Sequence, residues 1–294
     1  MKPGEWTAWQ PLAGGLRLRA EVLAETLDGG QAFRWRREGD GSWVGVWSDH
    51  VARVRLDARG GLEWSALRAE TGAALADYLG ENKTDSLVDA LPWRSDSHLA
   101  HCLGDFPGLK ILRQPFGETL LGFLCSATKQ IVQIKQMVAL LAERHGAPIG
   151  GGLHRLPTWA ELAVVPEVEL RGCLLGFRAR YIHQTAQLIA AEPGWLEETE
   201  ALPYAEAKAR LCSLPGVGEK VADCVLLFGA GKMEAFPVDV WILKAMAERY
   251  ALQNWKPAQV AHFGRVHFGP LAGLAQQYLF AWERAAARAG RSAK

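Results

Sequence analysis

Residues 214–239 read LPGVGEKVADCVLLFGAGKMEAFPVD. Leu214-Pro215 followed by Gly216-Val217-Gly218 makes a tight turn between two helices, with Gly216 and Gly218 free to take backbone angles closed to other residues. Such a turn leaves N–H groups exposed at the start of the next helix, where the positive dipole end also favours an anion such as a phosphate. Lys220 falls on the first turn of that helix, and Cys224 at i+4 shares its face. Pro237-Val238-Asp239 then leads into VWILKAMAERY (240–250), a helix with Asp239 as its N-cap.

Outward from this stretch, apolar residues recur at i, i+3 and i+4 over 120–142, 168–174, 179–191, 204–213, 219–228, 240–250 and 271–289, which predicts helices. From Gly15 to about Trp64 the period is two instead: Leu16 and Leu18, Phe33 and Trp35, Val44 and Val46, Val51 with Val54 and Leu56, Leu62 and Trp64. EGDGS (38–42), SDH (48–50) and ARGG (58–61) break that region at hairpin spacing, so the strands should form an antiparallel sheet. Pro92-Trp93-Arg94-Ser95 marks the exit from it. The expected fold is α+β: an N-terminal antiparallel β-sheet domain over 1–100, then a mostly α-helical body over 101–294.

Composition narrows the function little. Lys plus Arg number 33 against 32 Asp plus Glu in 294 residues, so no global field draws in a polyanion and any phosphate-binding surface must be local. The five cysteines are odd in number and widely spaced, which fits reduced thiols inside a cell better than a disulfide framework. Without a CxxC pair or clustered cysteines, neither a zinc nor an iron–sulfur site is expected, and no cofactor. The start MKPGEWTAW lacks an apolar signal core, and no apolar run reaches membrane-spanning length. The expectation is an intracellular protein, not secreted and without a membrane partner.

The 214–239 stretch resembles the helix-hairpin-helix DNA glycosylases, with the hairpin at about 204–229, and most closely their 8-oxoguanine glycosylase/AP lyase branch. QAFRW (31–35), GLKILRQ (108–114), LGFRARY (175–181) and HFGPLAGLAQQYLF (267–280) resemble the same branch in the same order. The resemblance covers most of the chain, strongly from about Phe106 to Phe280. It implies a bifunctional enzyme of base excision repair, acting as a monomer on double-stranded DNA that contains a damaged base. Inside a cell it would work where the DNA is.

The chemistry asks for a grip on the backbone, a pocket for the extruded base and a group at the anomeric carbon. A lysine can attack C1′ and, as an imine, permit elimination of the 3′ phosphate, so one residue serves both steps. Lys220 is that candidate; on sequence alone it could equally be a solvated surface lysine. Asp239 as an N-cap stabilises its helix by about 1 kcal/mol with no catalytic duty. The capping donors should also keep it ionised, and its charge would then stabilise an oxocarbenium-like sugar.

The resemblance also implies a base pocket. Cys224 would pack on one face of the flipped base and Phe280 on the other, Gln276 would bind its edge, and the Gly30 carbonyl would accept the N7 hydrogen that 8-oxoguanine has and guanine lacks. Phe177 reads as an aromatic wedge and Arg178 as a fork of donors reaching the orphaned partner base. DNA contacts are further expected at Gly216, Val217, Gly218, Thr128 and Trp241. Three positions depart from the branch. Thr128 stands where an asparagine reads the orphaned cytosine, Gln133 where a second cytosine-reading arginine stands, and Trp241 where a histidine lies near the lesion phosphate. Two alternatives stay open: a glycosylase of the same fold for alkylated or other damaged bases, and a non-catalytic helix-hairpin-helix DNA-binding module.

Overall fold

The computed structural model describes residues 5–80 and 87–290; the first four residues of the MKPGEWTAW start lie outside them. Five strands form an antiparallel sheet in the order β1-β5-β4-β3-β2, with β1 at Gln10–Pro11, β2 at Trp35–Arg37, β3 at Trp43–Trp47, β4 at His50–Leu56 and β5 at Leu62–Ala66. The three expected breaks are its hairpin turns. Asp40 Oδ1 accepts from the Ser42 N–H at 3.0 Å, Ser48 takes φ 45° between β3 and β4, and Asp57 Oδ1 accepts from Arg59 and Gly61 N–H at 2.7 and 2.8 Å. Each is a local Asx or left-handed turn of the kind those residues favour.

The period-two reading singled out Val44 and Val46, yet β3 is buried at every residue. Val44, Val46 and Val51 form a second small core on the far face with Trp6, Leu67, Ile149 and Leu153. The last two come from a short hairpin, β6 at Pro148–Gly150 and β7 at Leu153–His154.

The α-helices are α1 (Ala20–Asp28), α2 (Thr71–Tyr78), α3 (Ser97–Asp105), α4 (Phe116–Leu124), α5 (Ile131–His145), α6 (Trp159–Ala163), α7 (Glu167–Leu170), α8 (Arg178–Ala191), α9 (Trp195–Ala201), α10 (Tyr204–Cys212), α11 (Glu219–Phe228), α12 (Val240–Arg249), α13 (Pro257–Phe268) and α14 (Ala272–Arg288). Helices α1 and α2 pack with the sheet, and the helices from α3 on form the body. One core joins sheet and helices: Trp35, Leu75, Leu99, Leu120, Ile182 and Leu279 are each 1% exposed or less. Each such side chain contributes roughly 1.5–3 kcal/mol relative to exposure. Trp35 ties the layers together, stacking on Trp47 at 6.1 Å and donating from Nε1 to the Tyr78 hydroxyl at 3.2 Å.

Three sequence expectations need correction. Helix α1 lies inside the stretch expected to be strands, and Leu16 and Leu18 flank only a single bridge, Arg17 to Gly61. The expected helix over 120–142 is two helices parted by residues 125–130. There the Ser126 hydroxyl bonds back to the Phe123 carbonyl at 2.7 Å, Thr128 takes φ 55°, and Gln130 with Gln133 forms a capping box that starts α5 afresh. Over 168–174 the chain leaves α7 through a π turn, Arg171–Leu175, in which Leu174 takes φ 62°.

Candidate active site

The glycine turn joins α10 to α11 as a helical hairpin. Asp223, 1% exposed, locks the two helices: it accepts from the Tyr204 hydroxyl at 2.7 Å and pairs with Lys208 Nζ at 3.0 Å. The turn rests on α8, where the Thr185 hydroxyl donates to the Pro215 carbonyl at 3.3 Å. Gly216 takes φ +78° with the Tyr181 ring 2.7 Å from where a Cβ would sit, so it meets both reasons for glycine. Gly218 does not. At φ −95°, ψ 177° it is ordinary extended backbone, and a Cβ there would meet nothing within 4 Å. Its lack of a side chain leaves the start of α11 open instead. Val217, 6% exposed, pins the turn to the core.

Behind that turn lies a pocket of about 320 Å³, counting its mouth. Lys220 and Cys224 line it from α11, Asp239 from the cap of α12, and Gln276 and Phe280 from α14, with Gly30 at one edge. The structure thus brings together six residues from four separate stretches of the chain. Lys220 Nζ stands 5.1 Å from the Phe123 ring centroid, and Phe123 stacks on Phe228 at 5.8 Å to form an aromatic floor. Cys224 is 3% exposed, and burial pushes its thiol up to about 11, with the nearby Lys220 opposing the shift. It is a neutral packing surface at physiological pH.

Asp239 caps α12 through one oxygen: Oδ1 accepts from the N–H groups of Trp241 at 3.0 Å and Ile242 at 2.9 Å. These donors were expected to keep the carboxylate ionised. Burial outweighs them, and the Asp239 pKa stands above the ordinary value, with the Ile242 N–H, Lys220 and the Trp241 N–H pulling the other way. Gln276 Oε1 and Gln277 Nε2 are both buried with no hydrogen-bond partner among the described residues. Buried amide groups are almost always paired, so two orphans at one pocket mark where a polar edge is to be received.

The residues expected to meet the opposite strand sit on a neighbouring surface. Phe177 is 51% exposed and edge-on to Tyr181 at 5.9 Å. Arg178, expected to reach outward, is 2% exposed. It lies 4.3 Å from the Phe177 ring centroid and turns inward to the Ala127 and Leu175 carbonyls and to Thr128 Oγ1 at 3.0 Å. It therefore braces the 125–130 loop. Thr128 is exposed on that loop, and Gln133 accepts from the Gln130 N–H at 3.2 Å, serving as a helix cap. Trp241 is half-buried beside the cap. Sequence reasoning missed Phe123, Phe228, Pro237 and Gln277 as lining residues, because an apolar or amide side chain carries no mark of a pocket in the sequence.

Two family models match the chain: the N-terminal domain of 8-oxoguanine DNA glycosylases over residues 16–120, and the HhH-GPD superfamily of base excision DNA repair proteins over 121–266. An N-glycosylase/DNA lyase of Arabidopsis thaliana is 32% identical over 283 residues, covering 88% of this chain and 76% of the relative. The N-glycosylase/DNA lyase of Saccharomyces cerevisiae is 28% identical over 263 residues, covering 78% of this chain and 68% of the relative. Among solved structures, Clostridium acetobutylicum 8-oxoguanine glycosylase/lyase bound to duplex DNA with cytosine opposite 8-oxoguanine superposes with a TM-score of 0.83 at 31% identity, covering 90% of this chain and 91% of that one. A 3-methyladenine DNA glycosylase from Archaeoglobus fulgidus, at 20% identity and TM-score 0.75, shares the fold.

Proposed function

The chain belongs to the helix-hairpin-helix superfamily of base excision DNA repair proteins, in its 8-oxoguanine glycosylase branch, and we propose that it excises the base and cuts the strand through an imine on Lys220. It is a bifunctional 8-oxoguanine DNA glycosylase/lyase, and its partner is double-stranded DNA. The observation that carries the Lys220 assignment is the meeting of Lys220 and Asp239 in one pocket walled by Cys224 and Phe280.

The hairpin grips a phosphate at the open start of α11, and the extruded base enters between Cys224 and Phe280. Its polar edge satisfies the orphaned amide of Gln276, and Gly30 accepts the hydrogen on N7. The neutral Lys220 amine attacks C1′, and the N9–C1′ bond breaks with its electron pair going to the base. Ionised Asp239 offsets the positive charge that develops on the sugar. Opening of the sugar ring gives the imine, loss of a proton from C2′ follows, and the 3′ phosphate leaves. A DNA substrate also sets the enzyme to work in the compartment that holds DNA.

The direct test is a panel of duplexes carrying 8-oxoguanine, an alkylated purine or an undamaged guanine, followed for base release and strand scission. Release of 8-oxoguanine with β-elimination products is expected. Preference for the alkylated purine would support the other glycosylase reading.

A further inference from the structure

Gly30 lies between two peptide groups that are held fast. The Gly29 carbonyl accepts from Arg284, and the Gln31 carbonyl accepts from Gln114 Nε2 at 2.6 Å. The Gln31 side chain, 1% exposed, donates to the Lys110 carbonyl at 2.8 Å and accepts from the Leu112 N–H at 3.0 Å. Between these clamps the Gly30 peptide makes no hydrogen bond among the described residues. It takes φ +109° at the pocket edge, where a Cβ would come within 3.0 Å of Ile131 and 3.7 Å of Phe280.

Arg284 reaches the other side of this arrangement. It is 6% exposed, lies one helical turn after Phe280 on α14, and holds its guanidinium 5.2 Å from the Phe280 ring centroid. Glu25 of α1, 7% exposed, pairs with it at 2.6 Å. A buried guanidinium without such a partner would be an uncompensated charge. One side chain therefore touches both the loop that presents Gly30 and the ring beside it, and neither contact involves DNA.

We infer that Arg284, held by Glu25, is a positioning residue for base discrimination: it fixes the Gly30 carbonyl and the Phe280 ring relative to each other. The inference rests on the functional reading above and names what makes its pocket selective. 8-Oxoguanine differs from guanine by a hydrogen on N7 and an oxygen on C8. A fixed carbonyl facing N7 attracts the N–H of the first and repels the lone pair of the second, whereas a carbonyl free to swing away does neither well.

The test separates reading the base from cutting the backbone. Single-turnover excision of 8-oxoguanine opposite cytosine is measured beside β-elimination at a preformed abasic site, which has no base to read. Arg284→Met should slow excision roughly 10- to 100-fold, the scale of an ångström-sized misplacement, with abasic-site cleavage held within about twofold. Arg284→Lys, which keeps the charge and a donor but no plane to lay on Phe280, should fall between. Should the Met variant fail to fold, the same split measured for Arg284→Lys and Glu25→Gln decides. Excision at the unmodified rate, or equal losses in both steps, overturns the inference. An unmodified enzyme that releases no 8-oxoguanine removes the functional reading and this inference with it; one that releases it while the variants match it removes the inference alone.

Discussion

Lys220 and Asp239 line one pocket without pairing: no nitrogen–oxygen contact of 4.0 Å or less joins them, although Lys220 lies near enough to ease the charge on Asp239. A closed ion pair would occupy the amine with the carboxylate. The open arrangement keeps both groups facing the same space, where on the proposed reading the sugar sits.

Asp239→Asn separates capping from charge. Asn can still accept the Trp241 and Ile242 N–H groups, so α12 stays capped. Burial raises the Asp239 pKa above 3.8, so the ionised form costs stability. That cost is absent below 3.8 and complete once the pH exceeds the folded-state value. The Asn variant should therefore be at least as stable as the unmodified protein at pH 7 by urea unfolding, with the advantage shrinking in acid. Excision should fall by roughly 10²–10³-fold, as when one electrostatic group is removed from a transition state. Unchanged excision would leave Asp239 with the capping role alone.

Gly216→Ala and Gly218→Ala should part company. The first meets a left-handed backbone and the Tyr181 ring, and should lower stability by about 1–2 kcal/mol or more, seen in thermal unfolding. The second meets ordinary angles and open space, so it should fold normally but bind duplex DNA more weakly by crowding the start of α11. Equal destabilisation by both would contradict the geometry of the turn.

Opposite-base discrimination should be loose. By the resemblance Thr128 and Gln133 stand where two cytosine readers would be; Gln133 is engaged in a cap, and Arg178 braces the loop that carries Thr128. A well-placed bidentate reader contributes roughly 1–3 kcal/mol, about one to two powers of ten in rate. Excision opposite cytosine should lead by a narrow margin, with excision opposite T, G and A readily measured. Arg178→Ala should narrow it further by releasing the 125–130 loop. A preference of several powers of ten in the unmodified enzyme would refute this.

What the sequence made legible was local. A proline, two glycines and a capping aspartate declare the hairpin and the start of α12 through backbone chemistry that acts over a few residues. Asx turns likewise declared the β-hairpins. Phe280 and Gln276 came only from resemblance, since plain helix packing explains either by itself. Arg284 was invisible because its partner, Glu25, stands 259 residues away on a helix that alternation had concealed. Arg178 was read as a fork of donors reaching the orphaned base; three nearby acceptors turn it inward instead.

The central claim is a covalent one, so borohydride trapping tests it most directly. Incubated with a duplex carrying 8-oxoguanine opposite cytosine, the unmodified protein should form a stable protein–DNA adduct whose modified peptide contains Lys220. Lys220→Gln should form none while still binding the same duplex. Efficient trapping by the Gln variant, or an adduct on another lysine, would contradict the account.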